Sequence, residues 1–275
     1  MKRIGNLYEK VCSIENLQLA DEKARKGKLR TYGVIEHDKK REVNLLKLRE
    51  TLLNGTFHTS KYDVFTIYEP KEREIYRLPY FPDRILHHAI MNVLEPIWVS
   101  TFTADTYSCI KNRGIHAAAK KVKQALREDP EGTTFCLKLD IRKFYPSINH
   151  DVLKSILRRK LKDKRLLRLL DEIIDSADGV PIGNYLSQYF ANLYLTYFDH
   201  WIKEQKRVKH YFRYADDIVI LASDKSYLHS LMGEIRAYLG DLKLEVKGNW
   251  QVFPVAARGI DFVGYVFFHT HTRMR

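Results

Sequence analysis

HYFRYADDIVILAS, residues 210–223, sets two adjacent aspartates, Asp216 and Asp217, inside a segment otherwise built for a buried strand. HYFRYA and IVILA read as two short strands, so the aspartates fall at the tip of a hairpin. Side by side two carboxylates repel, and burying either without a partner costs several kcal/mol, on the order of 2–7 for even a neutral polar group. A second carboxylate lies upstream. FCLKLD (135–140) alternates as a half-buried strand and ends in Asp140. If the two strands are neighbours, three carboxylates meet at one sheet edge, where divalent cations would keep them ionised. Mg²⁺ suits such a site, because it takes one or two carboxylates together with water and substrate phosphates. Two such ions can clamp the attacking and leaving oxygens of an in-line phosphoryl displacement. The plainer alternative makes each Asp a turn or cap residue.

The rest of the composition favours a polyanionic partner. The chain has 275 residues, 47 Lys+Arg against 34 Asp+Glu and a formal net charge of +13, so nucleic acid ranks ahead of an anionic membrane. Cys12, Cys109 and Cys136 are far apart and form no C-x-x-C pair, which excludes a zinc knuckle and a disulfide framework and points to a reduced, cytoplasmic setting. No apolar run approaches the roughly 18–20 residues that span a bilayer, and the N-terminus lacks a signal-peptide core.

Along the chain, residues 6–54 read as helical, with a stripe at Val43, Leu45, Leu46, Leu48, Leu52 and Leu53 that ends at Asn54-Gly55. Residues 62–78 alternate on both sides of EPKERE and predict a hairpin with a charged tip. Asp83 is placed to cap a helix over 84–98, with Ile85, Leu86, Ala89, Ile90, Val93 and Leu94 on one face. Asn149 reads as the cap of the next helix, and RRKLKDKRLLR (158–168) is either a solvated helix face or a phosphate-contacting one. After GVPIG a helical segment runs to about 205, then come the aspartate hairpin, a helix over 225–239 and two strands, LKLEV and IDFVGYVFF. Irregular alternation of strands and helices predicts an α+β fold. His87-His88 cannot share a helix face and read as structural; Trp98, Trp201 and Trp250 read as core or partly buried anchors.

LKLDIRKFYPSIN, GVPIGNYLSQYFANLYL, FRYADDIVIL and RGIDFVGYVFF occur in the order of the palm motifs of reverse transcriptases, and KEREIYRLPYFPDRILHHAI and ADTYSCIKNRGIHAAAKKV resemble their finger motifs. The resemblance implies a right-hand polymerase with an N-terminal helical extension over 1–60, fingers over 61–134, a palm over 135–268 with finger-derived helices interleaved, and the start of an otherwise missing thumb over 269–275. It implies that Asp140, Asp216 and Asp217, with the carbonyl of Ile141, bind two Mg²⁺ ions. Tyr145 then matches the aromatic gate beneath the deoxyribose, Lys71 and Arg73 the residues that grip the incoming triphosphate, and Lys247 the palm lysine near the leaving pyrophosphate. Standing alone, Tyr145 would read as a core aromatic and Lys71 and Arg73 as an exposed charged turn.

IGNYLSQ, 182–188, narrows the resemblance. Its Ile-Gly-Asn-x-x-Ser-Gln form resembles the reverse transcriptases of diversity-generating retroelements, which misincorporate opposite template adenine, and DTYSCIKNRGIHAA and the opening GNLYEKVCSIENLQLA resemble the same group. By that resemblance Ile182, Gly183 and Gln188 shape the pocket of the templating base and incoming nucleotide. Ile110 stands where an Arg is usual and YADD where YMDD is commoner, so a defence-associated, retron-like or group II intron-like enzyme is the alternative. A catalytically silent RNA-binding scaffold is a third reading. The partners implied are template RNA, an RNA/DNA hybrid, dNTPs and a small, basic, oligomeric accessory variability protein, with no membrane.

Overall fold

A computed structural model describes residues 3–69 and 72–275, which divide into two compact units: 3–69 and 72–100 with 150–190, and 101–149 with 191–275. The first stretch carries helices α1 (Tyr8–Cys12), α2 (Ile14–Ala24), α3 (Tyr32–Asp38) and α4 (Arg41–Asn54), the strand pair β1 (Asp63–Ile67) and β2 (Arg73–Arg77), and helix α5 (Ile85–Val99). Then come α6 (Ile115–Glu128), β3 (Phe135–Asp140), α7 (Phe144–Ser147), α8 (His150–Lys160), α9 (Lys164–Asp175) and α10 (Tyr185–Tyr194). The chain closes with α11 (Thr196–His200), β4 (His210–Tyr214), β5 (Asp217–Ala222), α12 (Lys225–Asp241), β6 (Gln251–Pro254), α13 (Val255–Arg258), β7 (Ile260–Phe262), β8 (Tyr265–Phe267) and β9 (Thr272–Met274). This is the mixed helix-and-sheet fold that the sequence predicts, with every sheet antiparallel.

In the first unit the segment read as helical forms the four helices α1 to α4. The Ser13 side chain accepts from Asn16 N and starts α2, while Gly27 at φ 69 belongs to the break after it. In α4 only Leu45, Leu48 and Leu52 of the predicted stripe are buried; Val43 and Leu46 are 63% and 56% exposed. The helix ends where expected, on Gly55 in the left-handed conformation, φ 67. The β1–β2 hairpin forms with Asp63 opposite Arg77 and Ile67 opposite Arg73. Asp83 does not cap α5. It is fully buried in the turn Tyr80–Arg84, where its Oδ1 accepts from Ser60 N at 3.0 Å and burial raises its carboxyl above the usual range. Of the predicted inner face of α5, Ile85, Leu86, Ala89, Ile90 and Leu94 are at 0% exposure while Val93 is only half-buried; Trp98 is also in the core. His88 stacks on Tyr185 at 4.7 Å, and the basic run is partly consumed by ion pairs, Arg158 with Asp171 and Arg165 with Glu9.

The second unit is built on a four-stranded sheet, order β4-β5-β3-β6, and a three-stranded one, β7-β8-β9. Its core joins α6 to both: Ala118, Ala119, Val122, Ala125 and Leu126 pack with Phe212, Val219, Leu221, Phe262 and Phe267. The final strands differ from the expectation. LKLEV forms no strand; its Val246 makes a single bridge to Ile141, and Gln251–Pro254 takes the edge of β3 instead. IDFVGYVFF is two strands, not one, turning at Val263-Gly264, both with positive φ (47 and 85) as a tight hairpin requires.

Candidate active site at the carboxylate-bearing hairpin

β3 and β5 are neighbours, and their register sets Asp140 directly opposite Asp217. Tyr214 pairs with Asp217 across the β4–β5 hairpin, so Ala215 and Asp216 form its two-residue turn and Asp217 begins the strand. Ala215 takes φ 57, a conformation glycine ordinarily fills. Ile141 N donates to Asp216 O at 3.3 Å and thereby ties the turn to the end of β3. The three aspartates of the sequence pattern are thus brought to one sheet edge, in one unit.

Two lysines neutralise them. Lys138 Nζ donates to Asp217 Oδ1 at 2.6 Å and to Oδ2 at 2.9 Å, reaching diagonally across the β3–β5 ladder. Lys247 Nζ lies 2.8 Å from Asp140 Oδ1, and its backbone N donates to Asp140 O at 2.8 Å. Among the described residues Asp216 has no such cation of its own. Burial pushes its carboxyl up to about 6, the charge of Asp140 and a side-chain hydrogen bond with Asp140 act in the same direction, and Lys247 offsets them only in part. Burial raises the Asp217 carboxyl as well, against the opposing pull of Lys138.

The donor set suits a hard divalent cation. It consists of carboxylate and backbone oxygens, with Asp140 opposite Asp217 and the Asp216 carbonyl tied to Ile141 N. As they stand, the described residues contain no group of three or more Asp, Glu, His or Cys side chains drawn together to hold a metal; the ammonium groups of Lys138 and Lys247 balance the charge instead.

Tyr145, on α7, lies in the same unit. Burial raises its phenol, and Cys109 and then Asp216 add to the effect, which sets the ring in the field of the hairpin. In the other unit, Tyr76 N of β2 donates to Ile182 O at 2.8 Å. Gly183, at φ 116, passes so near that a Cβ there would stand 3.1 Å from Tyr76 O and 3.1 Å from Ile75 Cγ2. IGNYLSQ is thereby stapled to the hairpin that carries Arg73, which is exposed, while Gln188 projects from the exposed side of α10. Lys71 lies outside the described residues.

Sequence reasoning missed the support beneath the turn. Arg213 is fully buried; its Nε and Nη2 donate to Asp199 Oδ1 and Oδ2 at 2.7 and 2.6 Å, and its Nη1 donates to Ala215 O at 3.0 Å. Asp199 also accepts from Tyr211 OH at 2.6 Å and Thr106 Oγ1 at 2.9 Å. A charged residue two positions before the turn, in an otherwise apolar strand, is a signal for Arg213; nothing in TYFDHW marks Asp199 as its partner. Lys138 was legible in principle, since two residues before Asp140 on a strand is the same face.

Known proteins fix the class. Residues 69–267 match the family described as "Reverse transcriptase (RNA-dependent DNA polymerase)", which makes the chain a nucleic-acid polymerase of the nucleotidyltransferase class. Protein YkfC of Escherichia coli is 26% identical over 279 residues, covering 84% of this chain and 73% of that protein. The group II intron-encoded protein LtrA of Lactococcus lactis subsp. cremoris is 23% identical over 191 residues, 64% of this chain and 31% of the relative. Among solved structures, apo telomerase from Candida tropicalis superposes with a TM-score of 0.56 at 12% identity, over 79% of this chain and 49% of that one, a likeness of fold alone. The chain belongs to the reverse transcriptase family. It spans about a third of the intron-encoded relative and about half of the telomerase chain.

Proposed function

We propose that this chain synthesises cDNA on a retroelement template RNA, with residues 61–134 acting as fingers, 135–268 as palm and 1–60 as a helical extension. The observation that carries this reading is the convergence of Asp140, Asp216 and Asp217 where β3 meets the β4–β5 turn. Asp140, Asp216, Asp217 and the carbonyl of Ile141 would hold two Mg²⁺ ions, which supply the charge neutralisation that phosphoryl transfer requires. The chain's own groups do the rest. Lys247, already 2.8 Å from Asp140, stands ready to meet the negative charge of a leaving pyrophosphate. The Tyr145 ring closes off the space a ribose 2′-hydroxyl would need, and Lys71 and Arg73 grip the triphosphate, Arg bidentately. Ile182, Gly183 and Gln188 shape the templating pocket.

The Ile-Gly-Asn-x-x-Ser-Gln segment supports the enzyme of a diversity-generating retroelement, making adenine-mutagenised cDNA with a small basic accessory protein in a reducing cytoplasmic setting. A group II intron-like role is the second reading; the YADD turn and the similarity to LtrA favour it. Primer extension on an RNA template with Mg²⁺ and dNTPs tests the polymerase, with Asp216→Asn expected to abolish extension and leave RNA binding nearly intact. Absence of synthesis with cognate RNA and accessory protein present would overturn it. Sequencing the cDNA separates the two roles: errors concentrated opposite adenine support the first, an even error spectrum the second.

A further inference from the structure

A groove of about 1070 Å³ lies within the second unit, between the outer face of α6 and the segment from Tyr265 through the β8–β9 connection. None of Asp140, Asp216 and Asp217 lines it. Its walls carry five Lys or Arg side chains and three His, and no carboxylate. His116, Lys120, Lys123 and Arg127 recur at helical spacing along α6 and are exposed, while the opposite face of the same helix is buried in the core. Across the groove stand Tyr265 and Phe268. Lys123 Nζ is 5.9 Å from the Tyr265 ring, and Phe268 stacks on His271 at 4.6 Å and 12°.

A solvated helix face would account for the lysines but not for the concavity or for the aromatic wall facing them. Neither Lys120 nor Lys123 has a carboxylate partner among the described residues, so their charge is available to a ligand. Cations in a row opposite flat rings are what a single strand of nucleic acid uses: phosphates against the row, bases on the rings. A duplex would hide its bases from the rings, and an acidic peptide would leave them without stacking partners.

We propose that this groove binds single-stranded RNA, at a place separate from the carboxylate-bearing hairpin. The choice of RNA over DNA rests on the reverse-transcriptase reading; the binding of a single strand rests on the groove.

The test is fluorescence anisotropy of the full chain with a short unstructured RNA, across a salt series. The charge-reversal variant Lys120→Glu/Lys123→Glu/Arg127→Glu should lose about 10-fold or more in affinity at low salt, and its slope of log affinity against log salt should fall by about 2, from roughly 0.7 per phosphate contact. Phe268→Ala should weaken RNA by about 10-fold, the effect of losing one stacked base, while changing the salt slope little. Both variants are checked for an unchanged circular dichroism spectrum. Extension of a short primer–template should stay near parental in the charge-reversal variant. Parental RNA affinity in that variant, or equal affinity of the parent for an acidic peptide of matching charge, would overturn the proposal. Tighter binding of single-stranded DNA than RNA would overturn the choice of RNA. A chain that extends no primer yet loses RNA binding on charge reversal would sink the polymerase reading and leave the groove standing.

Discussion

Replacing Arg213 tests whether the carboxylate turn is held from below. Arg213 and Asp199 are both at 0% exposure, and Asp199 accepts four hydrogen bonds, two of them from the guanidinium. Arg213→Met removes those two and leaves a buried carboxylate with only the hydroxyls of Thr106 and Tyr211. Two charge-assisted bonds at about 1.5–3 kcal/mol each give about 3–6 kcal/mol, in line with the 3–5 kcal/mol expected when one partner of a buried pair is removed. The Ala215 carbonyl loses its donor at the same time. Arg213→Lys keeps the charge but not the fork that reaches Asp199 and Ala215 together, so it should be the milder variant in stability.

Urea denaturation followed by tryptophan fluorescence gives the stability difference, and single-nucleotide primer extension gives kcat and KM. Arg213→Lys should fold, lose about 1–2 kcal/mol, and show kcat reduced by about 10²-fold, the effect of an ångström-scale misplacement of reacting groups. Its KM for the dNTP should stay close to parental, because Arg213 is not among the residues proposed to grip the triphosphate. Adding Asp199→Asn to Arg213→Met should recover about 2 kcal/mol of the loss without restoring kcat, since the turn carbonyl still lacks its donor. An Arg213→Met protein as stable as the parent, or a double variant with parental kcat, would refute the reasoning.

Three further outcomes are expected. Gly183→Ala forces a β-carbon to within 3.1 Å of the Tyr76 carbonyl at φ 116, so it should lower stability by about 1–2 kcal/mol, the cost of an L-residue in that region; a thermal melt equal to the parent's would contradict the close approach. The Asp216 carboxyl is raised from 3.8 to about 6, so its contribution to stability is present below about pH 4 and lost as pH rises through 6, by at most about 3 kcal/mol at 1.36 kcal/mol per pH unit. Metal-free protein should therefore show this loss, Asp216→Asn should lack it, and Mg²⁺ should raise the melting temperature of the parent above pH 6 but not of the variant; a parent and variant with parallel melting-versus-pH curves would reject the coupling. Tyr145→Ala should admit ribonucleotides, seen as a fall of about 10-fold or more in the dNTP-over-rNTP ratio of kcat/KM, at the scale of one removed steric contact of about 1.4 kcal/mol; an unchanged ratio would remove Tyr145 from the gate.

What the sequence made legible was whatever depends on near neighbours in the chain. FCLKLD and the YADD hairpin are short apolar runs bounded by aspartates, and the strands they form bury Cys136, Leu137, Leu139, Ile218, Val219, Ile220 and Leu221 in the core. Two of the misreadings concern residues whose state is decided by a distant segment. Asp83 looks like a helix cap because it precedes an apolar helix, yet Ser60, 23 residues upstream, claims it. LKLEV alternates like a strand, but it runs past the end of β3, where its pairing is a bridge from Val246 to Ile141 and a hydrogen bond from Arg142 N to Glu245 O. That displacement has a consequence at the site: with Val246 bridged to Ile141 and Lys247 N bonded to Asp140 O, the Lys247 side chain is delivered to the Asp140 carboxylate. The repulsion visible in the paired aspartates is therefore settled by two lysines reached through sheet pairing, Lys138 by the diagonal and Lys247 by the bridge. Asp216, which neither lysine contacts, keeps the unbalanced burial. It is the carboxylate with most to gain from a divalent ion, because neutralising a charge that the fold has left buried and unpaired returns more than neutralising one already paired.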